Sequence, residues 1–140
     1  MNERRHITFS VGNHRFAVPI EKVREVVSAT SVLPVPGGRK PLEGILSYRE
    51  RSVLPVFSLL ELLGDQDDQV NDLIVVTGTE EAPVGFKVHS MGGIMITTGA
   101  EDEIAPYEGE LKSPEGAIIG ILKKTGGDHI LLEIDQVLGT

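Results

Sequence analysis

Four histidines, His6, His14, His89 and His129, are the first residues to weigh for chemistry, because an imidazole can ligate a metal or move a proton near neutral pH. No two stand at the close spacing of a metal pair, and none belongs to an H-E-x-x-H pattern. Each reads as a surface or strand-edge residue. A histidine acting as base for a distant nucleophile leaves no local spacing to find, but no G-x-S-x-G turn accompanies these four. The acidic run Glu101-Asp102-Glu103, with Glu108 and Glu110, lacks the alternating ligand spacing of a calcium loop and reads as a solvated face. The glycine pairs at 37–38, 92–93 and 126–127 form neither a dinucleotide fingerprint nor a P-loop; they read as turns, where glycine supplies positive φ. What remains is Arg49-Glu50-Arg51. It is either a charged hairpin turn or a contact arginine held out by a rigid scaffold. On this reading the chain has no catalytic residue, no metal site and no cofactor.

The elements that would position Arg49 come in a repeated unit. Gly44-Ile45-Leu46 opens an apolar run, a polar turn follows from Ser47 to Ser52, and Val53-Leu54-Pro55-Val56-Phe57 is a second apolar run. Ser58-Leu59-Leu60-Glu61 fits a helix-capping box, and Gly64 stops it. Gly120-Ile121-Leu122, the turn Lys123 to Asp128, Ile130-Leu131-Leu132 and the stretch Glu133 to Gly139 repeat the plan. The opening glycines are 120 − 44 = 76 residues apart, which predicts two related halves, residues 7–66 and 70–139, meeting at the acidic link 65–69. Alternation predicts a first hairpin over 7–18, with Gly12-Asn13-His14 as its turn. From Pro19 to Val27 one helical turn gives way to a strand. Leu33-Pro34-Val35-Pro36 reads as an extended connection, because two prolines remove ladder donors. Leu73 to Val76, Val84 to Val88 and Ile94-Met95-Ile96 read as further strands, and residues 99–116 as a long loop. About ten short strands at this spacing predict an all-β fold of small barrels or a sandwich.

Composition narrows the function. The chain has 140 residues, 40% of them hydrophobic but only 4% aromatic, so its core is aliphatic and favours strands. A net charge of -8 with no basic block argues against nucleic acid. With no cysteine, disulfides and thiolate zinc sites are excluded. No stretch is long and apolar enough to span a bilayer, and the first residues lack a secretory pattern, so a cytoplasmic protein without membrane insertion is expected.

The residues also carry a resemblance. Phe16-Ala17-Val18-Pro19-Ile20 with Val23-Arg24-Glu25-Val26-Val27, then Leu33-Pro34-Val35-Pro36-Gly37, Gly44 to Arg49 with Val53 to Leu59, Gly85 to Met91, and Leu131 to Asp135 occur in the order of five blocks of the CheW-like domain of bacterial chemosensory systems. The chain resembles that family over nearly its whole length, 1–140 as a single domain. The resemblance implies two five-stranded SH3-like β-barrels packed on one another, with short helical turns. It implies a non-enzymatic adaptor that couples the cytoplasmic tip of methyl-accepting chemoreceptors to the histidine kinase CheA, at receptor arrays on the inner face of the membrane. The positions matching the family's receptor contacts are Val23, Glu25, Gly44 and Arg49. Glu50 follows Arg49 where the family usually has glycine, and the stretch to Pro55 is one residue longer, so Arg51 is a possible substitute contact. The same departures leave open a divergent adaptor that binds a kinase regulatory domain, or another partner, without engaging receptors. An enzyme or small-ligand binder on this fold would need a concave polar pocket. A Pro-rich-peptide module would need more aromatics.

Overall fold

The computed structural model describes residues 3–29, 32–49, 52–66, 70–98, 104–112, 115–124 and 127–138. The strands are β1 (Arg4–Val11), β2 (His14–Pro19), β3 (Glu25–Ser28), β4 (Leu42–Tyr48), β5 (Ser52–Ser58), β6 (Leu73–Gly78), β7 (Pro83–Val88), β8 (Ser90–Thr97), β9 (Ile104–Ala105), β10 (Ile118–Lys124) and β11 (Gly127–Leu132). A short helix, α1 (Leu59–Leu62), and 3-10 turns at Ile20–Lys22 and Ile134–Gln136 complete the described elements. Ser58 caps α1, its hydroxyl accepting from the Glu61 backbone N–H at 3.3 Å, as the capping box requires.

The strands form two sheets, ordered β8-β1-β2-β11-β10-β9 and β3-β6-β7-β5-β4. The all-β, two-unit fold read from the sequence is therefore present, with the two-residue β9 making one sheet six-stranded. This strand lies inside the stretch expected to be loop; Ile104 and Ala105 pair with Leu122 and Ile121. The acidic run 101–103 lies outside the described residues.

The halves 7–66 and 70–139 are not the units in which strands pair. The opening hairpin of each half joins the sheet of the other: β1 and β2 pair with β8 and β11, while β6 and β7 pair with β3 and β5. Period-2 alternation states which face a side chain takes, but not which strand lies alongside. The repeat itself is real at the level of register. The β4–β5 ladder shifts between Leu42 and Gly44, and the β10–β11 ladder between Ile118 and Gly120, so each opening glycine sits at a β-bulge.

Three apolar clusters follow. One unites both sheets with α1 and the second 3-10 turn, and includes Phe9, Phe16, Val18, Leu59, Leu63, Val75, Phe86, Val88, Leu132 and Val137. Leu46, Tyr48, Leu54, Val56, Ile74 and Val76 fill the five-stranded sheet, with Val27 and Val32 packed on them. Ala17, Leu122 and Leu131, with Met95, fill the six-stranded one. Alternation along β6 sends Ile74 and Val76 to the second cluster and Val75 to the shared one. Lys22 and Asp135, 2.6 Å apart, tie the two 3-10 turns together.

Candidate functional site

The candidate site grows from the end of β4. Alternation points Leu46 and Tyr48 inward, so Tyr48 is buried, at 6% exposure, and its hydroxyl must find a partner. It donates to Glu25 Oε2 at 2.6 Å. Arg49, next along the chain, donates from Nη2 to the same oxygen, also at 2.6 Å. Its guanidinium carbon lies 5.2 Å from the Tyr48 ring centroid, within cation–π range. Glu25 begins β3, whose ladder partner is β6, at one edge of the five-stranded sheet; Tyr48 ends β4 at the other. One carboxylate thus bridges both edges. With Val27 and Val32 packed on the interior cluster, this closes the sheet as a small barrel does.

Arg49 has φ 54, a left-handed conformation that costs an L residue roughly 1 kcal/mol or more. The hairpin lacks glycine at this turn, and Arg49 takes the positive φ itself. The guanidinium stays reachable, with 58% of the side chain exposed against 34% for Glu25. It is an exposed cation fixed from behind by a ring and a carboxylate. Glu50 and Arg51, the alternative contact, lie outside the described residues.

The Tyr48 hydroxyl first, and the Arg49 guanidinium with it, hold the Glu25 carboxyl below its ordinary pKa, while partial burial pushes the other way. A depressed folded-state value means the bridge stabilises fully above the unfolded carboxylate value, about 4.3, and is lost as pH falls through the folded one. The stability gap between the natural chain and Glu25→Gln should therefore narrow as pH falls through about 4.3 and on through the lower folded-state value. Urea melts at several pH values measure it, and a pH-independent gap would assign the bridge no ionic part.

The other two expected site residues have structural duties. Val23, two residues before Glu25 in sequence, is half-buried and packs on the shared core. Gly44 is not part of this cluster. Arg49 is five positions further along the chain, roughly 16 Å at the strand rise. At Gly44, φ is 157 and an added Cβ would lie 2.3 Å from the Leu33 carbonyl oxygen. Leu33 bonds Ile45 in both directions, at 2.8 Å each, so the glycine admits the proline-rich connection against β4. Gly44→Ala should cost about 1–3 kcal/mol, read as a shift in denaturant midpoint. A cost near zero would mean that Leu33 moves aside freely.

Tyr48 is the site residue that sequence reasoning missed. The signal was available: a tyrosine at an inward position of an apolar strand, next to an exposed arginine. Among the described residues, no group of three or more histidines and carboxylates is placed to hold a metal ion. No helix among them is long and apolar enough to cross a membrane.

With this geometry established, known proteins give a consistent comparison. A family model described as CheW-like domain matches residues 5–140. The chain is 26% identical over 133 residues to the chemotaxis protein CheW of Thermotoga maritima, covering 94% of this chain and 85% of that one. It is 28% identical over 134 residues to the chemotaxis protein CheW of Rhizobium meliloti, covering 94% and 84%. Its fold is similar to the crystal structure of the scaffolding protein TtCheW from Thermoanaerobacter tengcongensis, with a TM-score of 0.82 at 19% identity, covering 99% of this chain and 94% of that one.

Proposed function

This chain belongs to the CheW-like domain family, a family of chemotaxis scaffolds, and from that premise we propose that it is a non-enzymatic adaptor joining the cytoplasmic tip of a chemoreceptor to a CheA-type histidine kinase. The observation that carries the proposal is the Glu25–Tyr48–Arg49 cluster. An arginine that is exposed yet held by two side chains loses little freedom on binding. It can set the register of a helical hairpin laid across the barrel, while apolar contact supplies the rest of the affinity. Val23, two residues before Glu25, and Val53, 57% exposed on β5 and paired with Ser47 beside Tyr48, offer apolar surface for that contact. Gly44 contributes by shaping β4.

Signal passes without a chemical step. An adaptor that holds receptor and kinase together raises their effective concentration, and a shift in receptor conformation changes which kinase arrangement is favoured. The protein would work at the inner face of the membrane without entering it.

The test is a pair of binding titrations, one against the kinase regulatory domain and one against a receptor-tip helical hairpin from the same cell. Binding to both supports the proposal; binding to neither refutes it. One observation favours a second reading, in which the kinase alone is bound. Arg49 already satisfies an internal carboxylate at 2.6 Å, and a partner must compete with it or add to it. Kinase binding without receptor binding would select that reading.

A further inference from the structure

The inner faces of the two sheets differ in chemistry. In the five-stranded sheet Leu46, Leu54, Val56, Ile74 and Val76 make that face apolar. In the six-stranded sheet, alternation along β1 puts His6, Thr8 and Ser10 on the face of Ala17, the ladder partner of Thr8. Along β11 it puts His129 on the face of Leu131, with Leu122 as its ladder partner. His6 is 4% exposed and His129 is half-buried. Both stand on interior strands of the sheet, so neither is the surface or strand-edge residue expected of it.

The edge strand β8 joins β1 across a fault. The register shifts between Ile7 and Phe9, where Gly92 and Gly93 form a bulge inside β8 and not the turn expected of them. Two side-chain ties cross the fault. The Thr8 hydroxyl donates to the Gly93 carbonyl at 2.7 Å, and the Ser10 and Ser90 hydroxyls lie 2.6 Å apart. Thr8, Ser10 and Ser90 line a cleft of about 170 Å³, and His129 and Arg15 line it with them.

His129 fits this cleft only as a neutral ring. Its Nδ1 is buried and has no hydrogen-bond partner among the described residues. In an imidazolium both ring nitrogens donate, so Nδ1–H would need an acceptor. The cleft offers the hydroxyl oxygens of Thr8, Ser10 and Ser90, which now tie β1 to β8. An imidazolium that takes one of them weakens a tie; one that takes none leaves a buried donor unpaired. The charges around the ring oppose protonation on balance. Arg15 faces it from β2, while β10 presents Leu122, and β1 and β8 present hydroxyls and glycine. His6, one alternation step beyond Thr8, is the next titratable group on the inner face of β1. Asp128, exposed on β11 and 3.4 Å from Lys123, is the nearby carboxylate. Burial holds His129 below its ordinary value and Arg15 adds to this, against the Gly127 carbonyl and Asp128.

We propose that His129 is an acid-sensitive latch: on taking up a proton it releases the edge strand β8 from β1 at the Gly92–Gly93 bulge, while the five-stranded sheet stays closed. The sign follows from linkage. The opened state binds the proton at the ordinary histidine value, about 6.5, and the closed state only below it. The latch therefore holds fully above about pH 6.5 and weakens as pH falls from there toward the closed-state value. The Glu25 bridge belongs to the other sheet and is lost only at lower pH, so the two responses are separate.

The test combines an NMR titration of the histidine rings in the full chain with hydrogen exchange at pH 7 and pH 5.5, corrected for intrinsic rates. His129 should titrate below 6.5. Exchange in β8 and in the facing part of β1 should rise by up to about tenfold, the ceiling that one proton with an open-state value of 6.5 sets at pH 5.5. Exchange in β6 and β7 should rise less. His129→Gln, a neutral polar replacement at a half-buried position, should remove the difference between the two sheets. Should that variant fail to fold, the ring titration and the comparison of sheets in the natural chain decide. A His129 that titrates at or above 6.5, equal acceleration in both sheets, or an acid response that survives in His129→Gln would each overturn the proposal.

Discussion

Arg49→Glu should weaken receptor-tip binding at least roughly tenfold, while kinase binding and folding persist. Reversal has two effects at once. It removes the exposed cation, and it sets a second carboxylate beside Glu25, whose Oε2 now receives the guanidinium at 2.6 Å. Like charges at that distance repel, so any partner carboxylate is turned away as well. A second variant separates contact from conformation. Arg49 adopts φ 54, so Arg49→Gly relieves the backbone while deleting the side chain. It should fold at least as well as the natural chain apart from the lost bridge, and still fail to bind receptor. Isothermal titration against the receptor hairpin and the kinase domain, with thermal melts on both variants, decides the matter. Undiminished receptor binding by both variants would remove Arg49 from the interface.

Phe86→Ala should destabilise the fold by about 3–5 kcal/mol, a large part of the usual margin of a domain this size. Phe86 is 1% exposed and lies in the cluster that both sheets share. Its ring centroid is 6.4 Å from that of Phe57, one of the few aromatic contacts in an aliphatic core. The opening hairpins are exchanged between sheets, so neither sheet can be completed by one half of the chain. The expected result is one cooperative transition at lower denaturant, seen equally by probes in both sheets. Two separate transitions would show that the sheets are independent units joined only by their connections.

Much of this was legible beforehand. Alternation put Ile7, Phe9 and Val11 on one face, with Phe16 and Val18 after the turn, and all are buried except the half-buried Ile7. The capping box at Ser58, the helical turn after Pro19 and the repeat built on Gly44 and Gly120 depend on residues adjacent in sequence, and each was found where expected. The five blocks of resemblance placed the chain in its family. Arg49 stood out as a charge between apolar strands. The strand at Ile104 was missed because two residues make no pattern; β10 beside it makes them a strand.

The sequence by itself determined the all-β class, the aliphatic core, the repeat, the family and the identity of the exposed arginine, because these follow from composition, period and short-range spacing. Only the tertiary structure decided that the halves exchange their hairpins, that Tyr48 and Arg49 converge on Glu25, 23 and 24 residues away, and that Gly44 lies apart from them beneath Leu33. Which strand lies beside which depends on the closure of long loops and on packing between distant segments, and no local pattern of residues encodes that choice.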